Sequence, residues 1–394
     1  MAAEHEPPGW HGARTMPNVW VLTGHRAGDS AQMLALAEAL GWPFEVKRLV
    51  YRKTELATNL ALGPTLAGMV RSQSSPLAEP WPDLVISAGR RNEPVARWIR
   101  QRSGGRARLV HFGRPWARTE CFDLVITTPQ YAVPPRPNIL WLDLPLHRVT
   151  PERLEQAAEA WRERLAHLPQ PRIAVLVGGD SAPYRLGLDA AGRLGRTVAR
   201  MAKDAGGSLL VTTSARTGAE ASEALREAID GPVYIHYWDP RAQENPYLAF
   251  LALADAIVVT GDSVSMVAEA CATKAPVYVF DPGEGPSSMR EPTGPRSARD
   301  VVRNLDGWTL FYRTVHRLAP VRMRRNIGAM LRALVESGRA AWLGDPAPPS
   351  RRGRSTDLPR AVERVRSLFA ESVVPAGHAV PQSARSDHES HPER

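Results

Sequence analysis

Three short stretches in the second half of the sequence place glycine and hydroxyl side chains directly after an apolar run. They are Gly178-Gly179-Asp180-Ser181, Thr213-Ser214-Ala215-Arg216-Thr217-Gly218 and Thr260-Gly261-Asp262-Ser263-Val264-Ser265. Each leads into a helical pattern. Amides exposed at a helix start, with Ser and Thr hydroxyls beside them, suit phosphate oxygens. The same residue types favour turns and N-caps with no ligand at all. One such loop would favour the turn reading; three at equivalent strand ends put the two readings level.

The most informative segment is Ile257–Ala272, IVVTGDSVSMVAEACA. A capping box opened by Ser263 would need Glu or Gln at Met266, and neither stands there. The acid comes later, at Glu269, on the same helical face as Ser265. Among small and apolar neighbours, a carboxylate needs a partner or solvent. Two ribose hydroxyls would serve, with the helix start holding phosphates; a surface glutamate on an amphipathic helix is the competing reading.

In the first half, Thr23-Gly24-His25-Arg26-Ala27-Gly28-Asp29-Ser30 follows a strand pattern and opens a helix. It is neither G-x-G-x-x-G nor a Walker sequence, and a tight turn without ligand also accounts for it. His25 is a candidate proton relay and Arg26 a candidate contact to an anion. Asp29 and His111 are further candidate bases. Ser87-Ala88-Gly89-Arg90-Arg91 and His111-Phe112-Gly113-Arg114-Pro115 bring more guanidinium groups to strand ends, where they would neutralise a diphosphate or an anionic acceptor. Solvated surface explains any one arginine equally well.

Absent motifs exclude several classes. No G-x-G-x-x-G follows a strand, against dinucleotide-dependent dehydrogenases and epimerases; no G-K-[ST] occurs, against P-loop NTPases. Gly261-Asp262-Ser263-Val264-Ser265 lacks the second glycine of a nucleophile elbow. No H-E-x-x-H or Cys/His cluster points to a metal.

The elements that must position these loops repeat. Strands are expected at Asn18–Leu22, Phe44–Val50, Asp83–Ser87, Arg108–Phe112, Asp123–Thr127 and Asn138–Leu142, with helices at Ser30–Leu40 and Glu93–Arg102 among them. After a helix at Pro151–Leu168 the pattern restarts, with strands at Arg172–Val177, Ser208–Thr212, Pro232–Tyr237, Ala256–Thr260 and Pro276–Phe280. Helices are expected between them at Leu188–Ala205, Ala219–Ile229, Tyr247–Ala254 and Val264–Thr273. Strands apolar on both faces that alternate with helices predict α/β architecture: two Rossmann-like, doubly wound parallel-sheet domains. The expected division is a leader over 1–16, a first domain over 17–168 and a second over 169–345 with an insertion at 283–325. A loop and closing helix over 346–371 and a polar tail over 372–394 complete it.

A length of 394 residues fits two such domains, and 43% hydrophobic content supplies their cores. No apolar run approaches the roughly 20 residues that span a bilayer. Two cysteines, Cys121 and Cys271, make no disulfide framework, so a cytoplasmic protein is expected. Lys47, Lys53, Lys203 and Lys274 are the only lysines among 50 basic residues, a skew typical of a GC-rich bacterial genome. The net charge of +9 permits nucleic acid, anionic lipid or phosphorylated substrates as partners. No recognised motif supports nucleic acid. The stretch Trp308–Arg325 interleaves aromatic residues with arginines, which suits docking on an anionic membrane face through 303–325. A helix packed across the interdomain cleft, with its arginines in water, accounts for it too.

With these loops assembled, the chain resembles the mitochondrial-fission ELM-type (elongated-mitochondria) family, whose bacterial members are treated as GT-B-type glycosyltransferases. The matching stretches are GHRAGDSAQMLALAEALG at 24–41, SAGRR at 87–91, HFGRPWARTECFD at 111–123 and, most specifically, NPYLAFLALADAIVVTGDSVSMVAEACATKAPVYVF at 245–280. The resemblance implies a GT-B-like pair of domains facing a cleft, with a nucleoside-diphosphate sugar as donor substrate, no permanently bound cofactor and a cell-envelope acceptor. Gly178, Gly179, Ser214, Arg216, Asp262, Ser263, Ser265 and Glu269 would bind the nucleotide sugar. Gly24, Arg26, Gly28, Arg90 and Arg114 would face the acceptor or the phosphates. The plant members also imply a non-catalytic adaptor that recruits a dynamin-related protein. This sequence departs from the family pattern at Pro115-Trp116, where Pro-Arg is common, and at Pro129-Gln130-Tyr131, in place of a Pro-x-His-Asp-like stretch.

Overall fold

The computed structural model describes residues 16–24, 26–52, 63–181, 184–284, 288–290, 325–348 and 355–370. Two six-stranded parallel sheets carry the two runs of the pattern. The first holds β1 (Val19–Thr23), β2 (Phe44–Arg48), β3 (Leu84–Ala88), β4 (Arg108–Phe112), β5 (Leu124–Thr127) and β6 (Ile139–Trp141), in the order β2-β1-β3-β4-β5-β6. The second holds β7 (Arg172–Leu176), β8 (Ser208–Thr212), β9 (Val233–His236), β10 (Ala256–Thr260), β11 (Val277–Phe280) and β12 (Ala341–Trp342), in the order β12-β11-β10-β7-β8-β9. Strand order reverses once in each sheet, between β1 and β3 and between β7 and β10. At such a reversal the connections leave on opposite faces and open a crevice at the strands' carboxyl ends.

The helices are α1 (Ala27–Leu40), α2 (Gly89–Arg102), α3 (Pro151–Arg162), α4 (Leu188–Asp204), α5 (Ala219–Glu227), α6 (Tyr247–Leu253), α7 (Val264–Cys271), α8 (Ile327–Glu336) and α9 (Asp357–Ala370). Alternation along each strand feeds two cores. Val19 and Val21 pack with Met33 and Leu36 of α1, whereas Trp20 and Leu22 pack with Val95 and Ile99 of α2. The second sheet does the same, with α3, α6, α7 and α8 on one face and α4 and α5 on the other. Each fully buried Leu or Ile contributes about 1.5–3 kcal/mol, which is why strands apolar on both faces settle here. Pro151 opens α3 behind Thr150, whose hydroxyl accepts the Arg153 amide at 3.3 Å.

The two-domain α/β architecture is the one the pattern predicts, with local differences. β12, two residues long, is too short to produce a periodicity. α2 begins at Gly89 rather than Glu93, so Arg90 and Arg91 lie in its first turn instead of a loop. α3 ends at Arg162, short of Leu168. The expected leader (1–16, apart from Met16), the tail (372–394) and most of the 283–325 segment, including the membrane-docking stretch up to Arg324, lie outside the described residues. Among the described residues no helix is long and apolar enough to cross a membrane.

After the second sheet the chain returns to the first domain. Ala361 and Val365 of α9 are buried in the first domain's core, and Phe369 meets Trp42 edge-on at 5.1 Å. The Asp357 carboxylate accepts the amides of Asp143 and Leu144 at 3.4 and 3.2 Å.

Candidate functional site

At the second sheet's reversal, three loops are locked together by their own side chains. β7 runs out through Gly178, whose amide donates to Thr260 Oγ1 at 2.8 Å, and Gly179, whose amide donates to Asp262 Oδ2 at 3.0 Å. Thr217 Oγ1 donates to the Gly178 carbonyl at 2.6 Å, and Ser214 Oγ donates to the same oxygen. Arg216 reaches across to Asp262 Oδ2 at 2.9 Å and to the Asp180 carbonyl at 3.1 Å. Asp262 is wholly buried; desolvation pushes its carboxyl above the usual range, and Arg216 pulls the other way.

Glycine is required at both positions. A side chain at Gly178 would strike the Asp262 carboxylate. Gly179 has φ +141°, a region L side chains rarely adopt, and lies against the Arg216 carbonyl.

Ser263 occupies the N-cap position of α7 but makes no side-chain capping bond, and Ser265 is half-buried in the helix's first turn. On the same face Glu269 meets a residue the sequence reading left unassigned, the Tyr247 hydroxyl at the start of α6, which donates to Glu269 Oε2. Burial pushes the Glu269 carboxyl up, and the Tyr247 bond opposes that shift. The glutamate is therefore a half-buried, hydrogen-bonded group rather than a freely solvated surface acid. Beyond β9, Tyr237 and Trp238 are each 44% exposed, and the Trp238 amide is tied to Thr213 Oγ1 at 2.8 Å.

The first sheet's reversal faces this crevice. Gly28, in the first turn of α1, lies so close to Ser265 of α7 that a methyl group there would collide with the serine hydroxyl. Gly24 precedes α1, Arg26 is its exposed N-cap residue, and Asp29 stands within contact distance of Gly89. His25 lies outside the described residues. Arg90 is exposed in the first turn of α2, its guanidinium 5.3 Å from the Trp116 ring.

Three first-domain residues stand apart from the expectations. His111 is a correction: it lies inside β4, fully buried, with the Ser87 hydroxyl at 2.9 Å and the Phe122 ring at 4.9 Å. Desolvation holds its pKa down to about 3, so it is a neutral core histidine closed off from solvent. Arg114 donates to the Tyr131 carbonyl at 3.0 Å, which ties it to the loop after β5, and desolvation lowers its pKa. Gln130, in a position where the family pattern differs, is buried and ties the domains together. Its carbonyl accepts the Asn326 amide at 2.8 Å, and its Oε1 accepts from Arg325 Nε at 2.5 Å.

Sequence reasoning also missed Glu93. Its buried carboxylate accepts the amides of Trp116 and Ala117 at 2.7 and 2.8 Å, pinning the loop after β4 to α2. An acid between Asn92 and Pro94 at a helix start was the available signal. Among the described residues no three His, Cys, Asp or Glu side chains gather as metal ligands.

Comparison with known proteins gives a family and a set of distant folds. The family model described as mitochondrial fission ELM1 matches residues 27–335. The mitochondrial fission protein ELM1 of Arabidopsis thaliana is 29% identical over 249 residues, 58% of each chain, so the match spans little more than half of that relative's length. An uncharacterized Rickettsia prowazekii protein is 22% identical over 300 residues, 67% of this chain and 83% of that one. Among solved structures, a glycosyltransferase from Rickettsia africae superposes with a TM-score of 0.42 at 10% identity, over 90% of this chain and 98% of the other.

Proposed function

The chain belongs to the mitochondrial fission ELM1 family, and from that premise we propose that it is a glycosyltransferase that takes a sugar from a nucleoside-diphosphate donor. The observation that carries the proposal is the convergence of Gly178-Gly179, Ser214–Thr217 and Asp262–Ser265 at the second sheet's reversal, opposite a basic edge of the first domain. In this reading the diphosphate sits against the α7 start and the Arg216 guanidinium. Amides and guanidinium groups aimed there stabilise the charge that gathers on the departing diphosphate. Arg26 and Arg90 add positive charge from the other domain.

Glu269, held by Tyr247, accepts a ribose hydroxyl, and the exposed Tyr237 and Trp238 offer aromatic faces to the base. With His111 enclosed, the proton acceptor for an incoming hydroxyl is Asp29 or His25. The acceptor is a cell-envelope molecule reached from the cytoplasm, at the membrane's inner face.

Calorimetric titration with UDP-, GDP-, ADP- and CMP-linked sugars tests the donor site. One donor is expected to bind, and Glu269→Ala to weaken it by about tenfold, the scale of one lost hydrogen bond to a charged group. Silence from every donor, or unchanged affinity in the variant, sinks the donor-site assignment. A second reading, a non-catalytic adaptor on the same scaffold, is favoured by one observation. Arg216, Ser214 and Glu269 are already engaged by protein partners. Silence from all donors is the outcome that reading requires.

A further inference from the structure

One cavity opens on the first domain, apart from the donor loops of the second. It measures about 510 Å³ and is lined chiefly by Leu66, Met69 and Val70 below, with Arg52, Arg71 and Ser72 around it. Its frame grows directly from β2. Thr23 ends β1 in register with Arg48, and the next amide, that of Leu49, donates to the Thr23 carbonyl at 2.9 Å. Residues 49–52 therefore project past the sheet's carboxyl edge. They pair there with the 68–70 segment, the Arg52 amide donating to Gly68 and the Val70 amide to Val50. At about 3.3 Å per residue this extension stands roughly 10 Å above the edge that carries Gly24.

A short chain of contacts links the cavity frame to the sheet reversal. The Tyr51 hydroxyl donates to Asn92 Oδ1 at 2.6 Å, and Asn92 Nδ2 donates to the Leu22 carbonyl at 2.6 Å. A Cβ on Gly24 would rest 3.8 Å from that Asn92 oxygen. The cavity thus flanks the first domain's half of the crevice.

Its chemistry is mixed in a specific way. Leu66 and Met69 are buried and give an apolar floor. Arg52 and Arg71 are exposed, and among the described residues neither guanidinium has a hydrogen-bond or ion-pair partner. Many of the chain's other arginines do have one: Arg100 with Asp123, Arg148 with Glu38, Arg164 with Glu244 and Arg290 with Asp345. Among the described residues that line the cavity there is no carboxylate. Two unpaired guanidinium groups over an apolar floor match a molecule with a phosphate or carboxylate joined to an aliphatic portion.

We propose that this cavity binds an anionic amphiphile, its charged group between Arg52 and Arg71 and its aliphatic part on Leu66, Met69 and Val70. As a binding site it stands on the cavity alone. Its role as the acceptor's pocket rests on the transferase reading.

Octyl phosphate below its micelle-forming concentration is the probe, with inorganic phosphate and octyl glucoside as partial probes. Octyl phosphate is expected to bind at least tenfold tighter than either. Arg52→Ala/Arg71→Ala is expected to lose that binding by tenfold or more, and both positions are exposed enough to spare the fold. Val70→Ser is expected to weaken octyl phosphate and leave inorganic phosphate unchanged. Undiminished binding by the double variant overturns the site, and so does inorganic phosphate binding as tightly as octyl phosphate, which would mean a bare anion site.

Donor titrations keep the two proposals separate. Donor affinity unchanged by Arg52→Ala/Arg71→Ala supports a distinct acceptor pocket, whereas its loss would merge the pocket with the donor site and overturn the assignment. Arginine-dependent octyl phosphate binding in a protein that binds no donor would leave this site standing and remove the transferase reading.

Discussion

The two sheet reversals present loops to the same crevice and fill them in opposite ways. In the second domain Asp262 holds the Gly179 amide and Arg216, Thr217 and Ser214 hold the Gly178 carbonyl, and Tyr247 holds Glu269. In the first domain the corresponding edge exposes Arg26 and Arg90, and beside it Arg52 and Arg71. One half is a cradle fixed by its own contacts, its arginine charge balanced by a buried carboxylate. The other presents its guanidinium groups at the surface, with Asp29 among them. The division teaches that geometry and charge for an anionic ligand come from different domains, so such a ligand gains most when both are brought together.

The sharpest way to break this comparison is Gly179→Ala. The variant forces a side chain into φ +141° and against the Arg216 carbonyl. Donor affinity should fall by more than about a hundredfold while octyl phosphate binding on the first domain is retained. Equal loss at both sites would mean that the domains are not separately organised; no loss would mean that the cradle does not hold the donor.

The next effect belongs to the first domain's interior. His111 has its pKa held down to about 3, below its unfolded value, because burial refuses the proton. The unfolded chain takes up that proton below pH 6.5, so stability falls as pH drops from there toward 3; above pH 6.5 the group contributes nothing to the slope. The loss should reach about 2 kcal/mol at pH 5. Denaturant unfolding at pH 7 and pH 5 should show this loss in the wild type and not in His111→Asn. An identical slope in the variant would assign it elsewhere.

The smallest effect concerns the contact between the halves. Gly28→Ala sets a methyl against Ser265 Oγ and is relieved by slight opening of the crevice. Donor binding should weaken by about tenfold with stability unchanged, an interaction lost only on closure. If donor affinity does not move, the domains do not need to approach at that point.

Much of this was legible in the sequence, for a physical reason. Parallel strands buried on both faces are continuous apolar runs, so β1, β3, β4, β7, β8 and β10 stand out by composition alone. The strand-end loops follow from where those runs stop. What stayed hidden were choices between faces and partners distant along the chain. His111 ends an apolar run as Gly24 and Gly178 follow theirs, but period-two alternation puts it with Leu109 and Val125 on the α2 side, a face the sequence could not identify as closed. Tyr247 and Glu269 lie 22 positions apart on different helices. Glu93 was legible only as a helix residue, because its two amide partners depend on how the loop after β4 folds back. Arg216 and Asp262 were both singled out, yet nothing in their spacing said that they would hold each other.

The returning helix α9 bears on the order in which the chain is made. Asp357 closes onto Asp143 across 214 positions, and Ala361 and Val365 fill a core otherwise built from residues up to Leu146. A ribosome delivers all of the second sheet, through Trp342, before it delivers that last piece of the first. The domain synthesised first is therefore the later one to seal, and it waits with part of its apolar face uncovered while its neighbour completes.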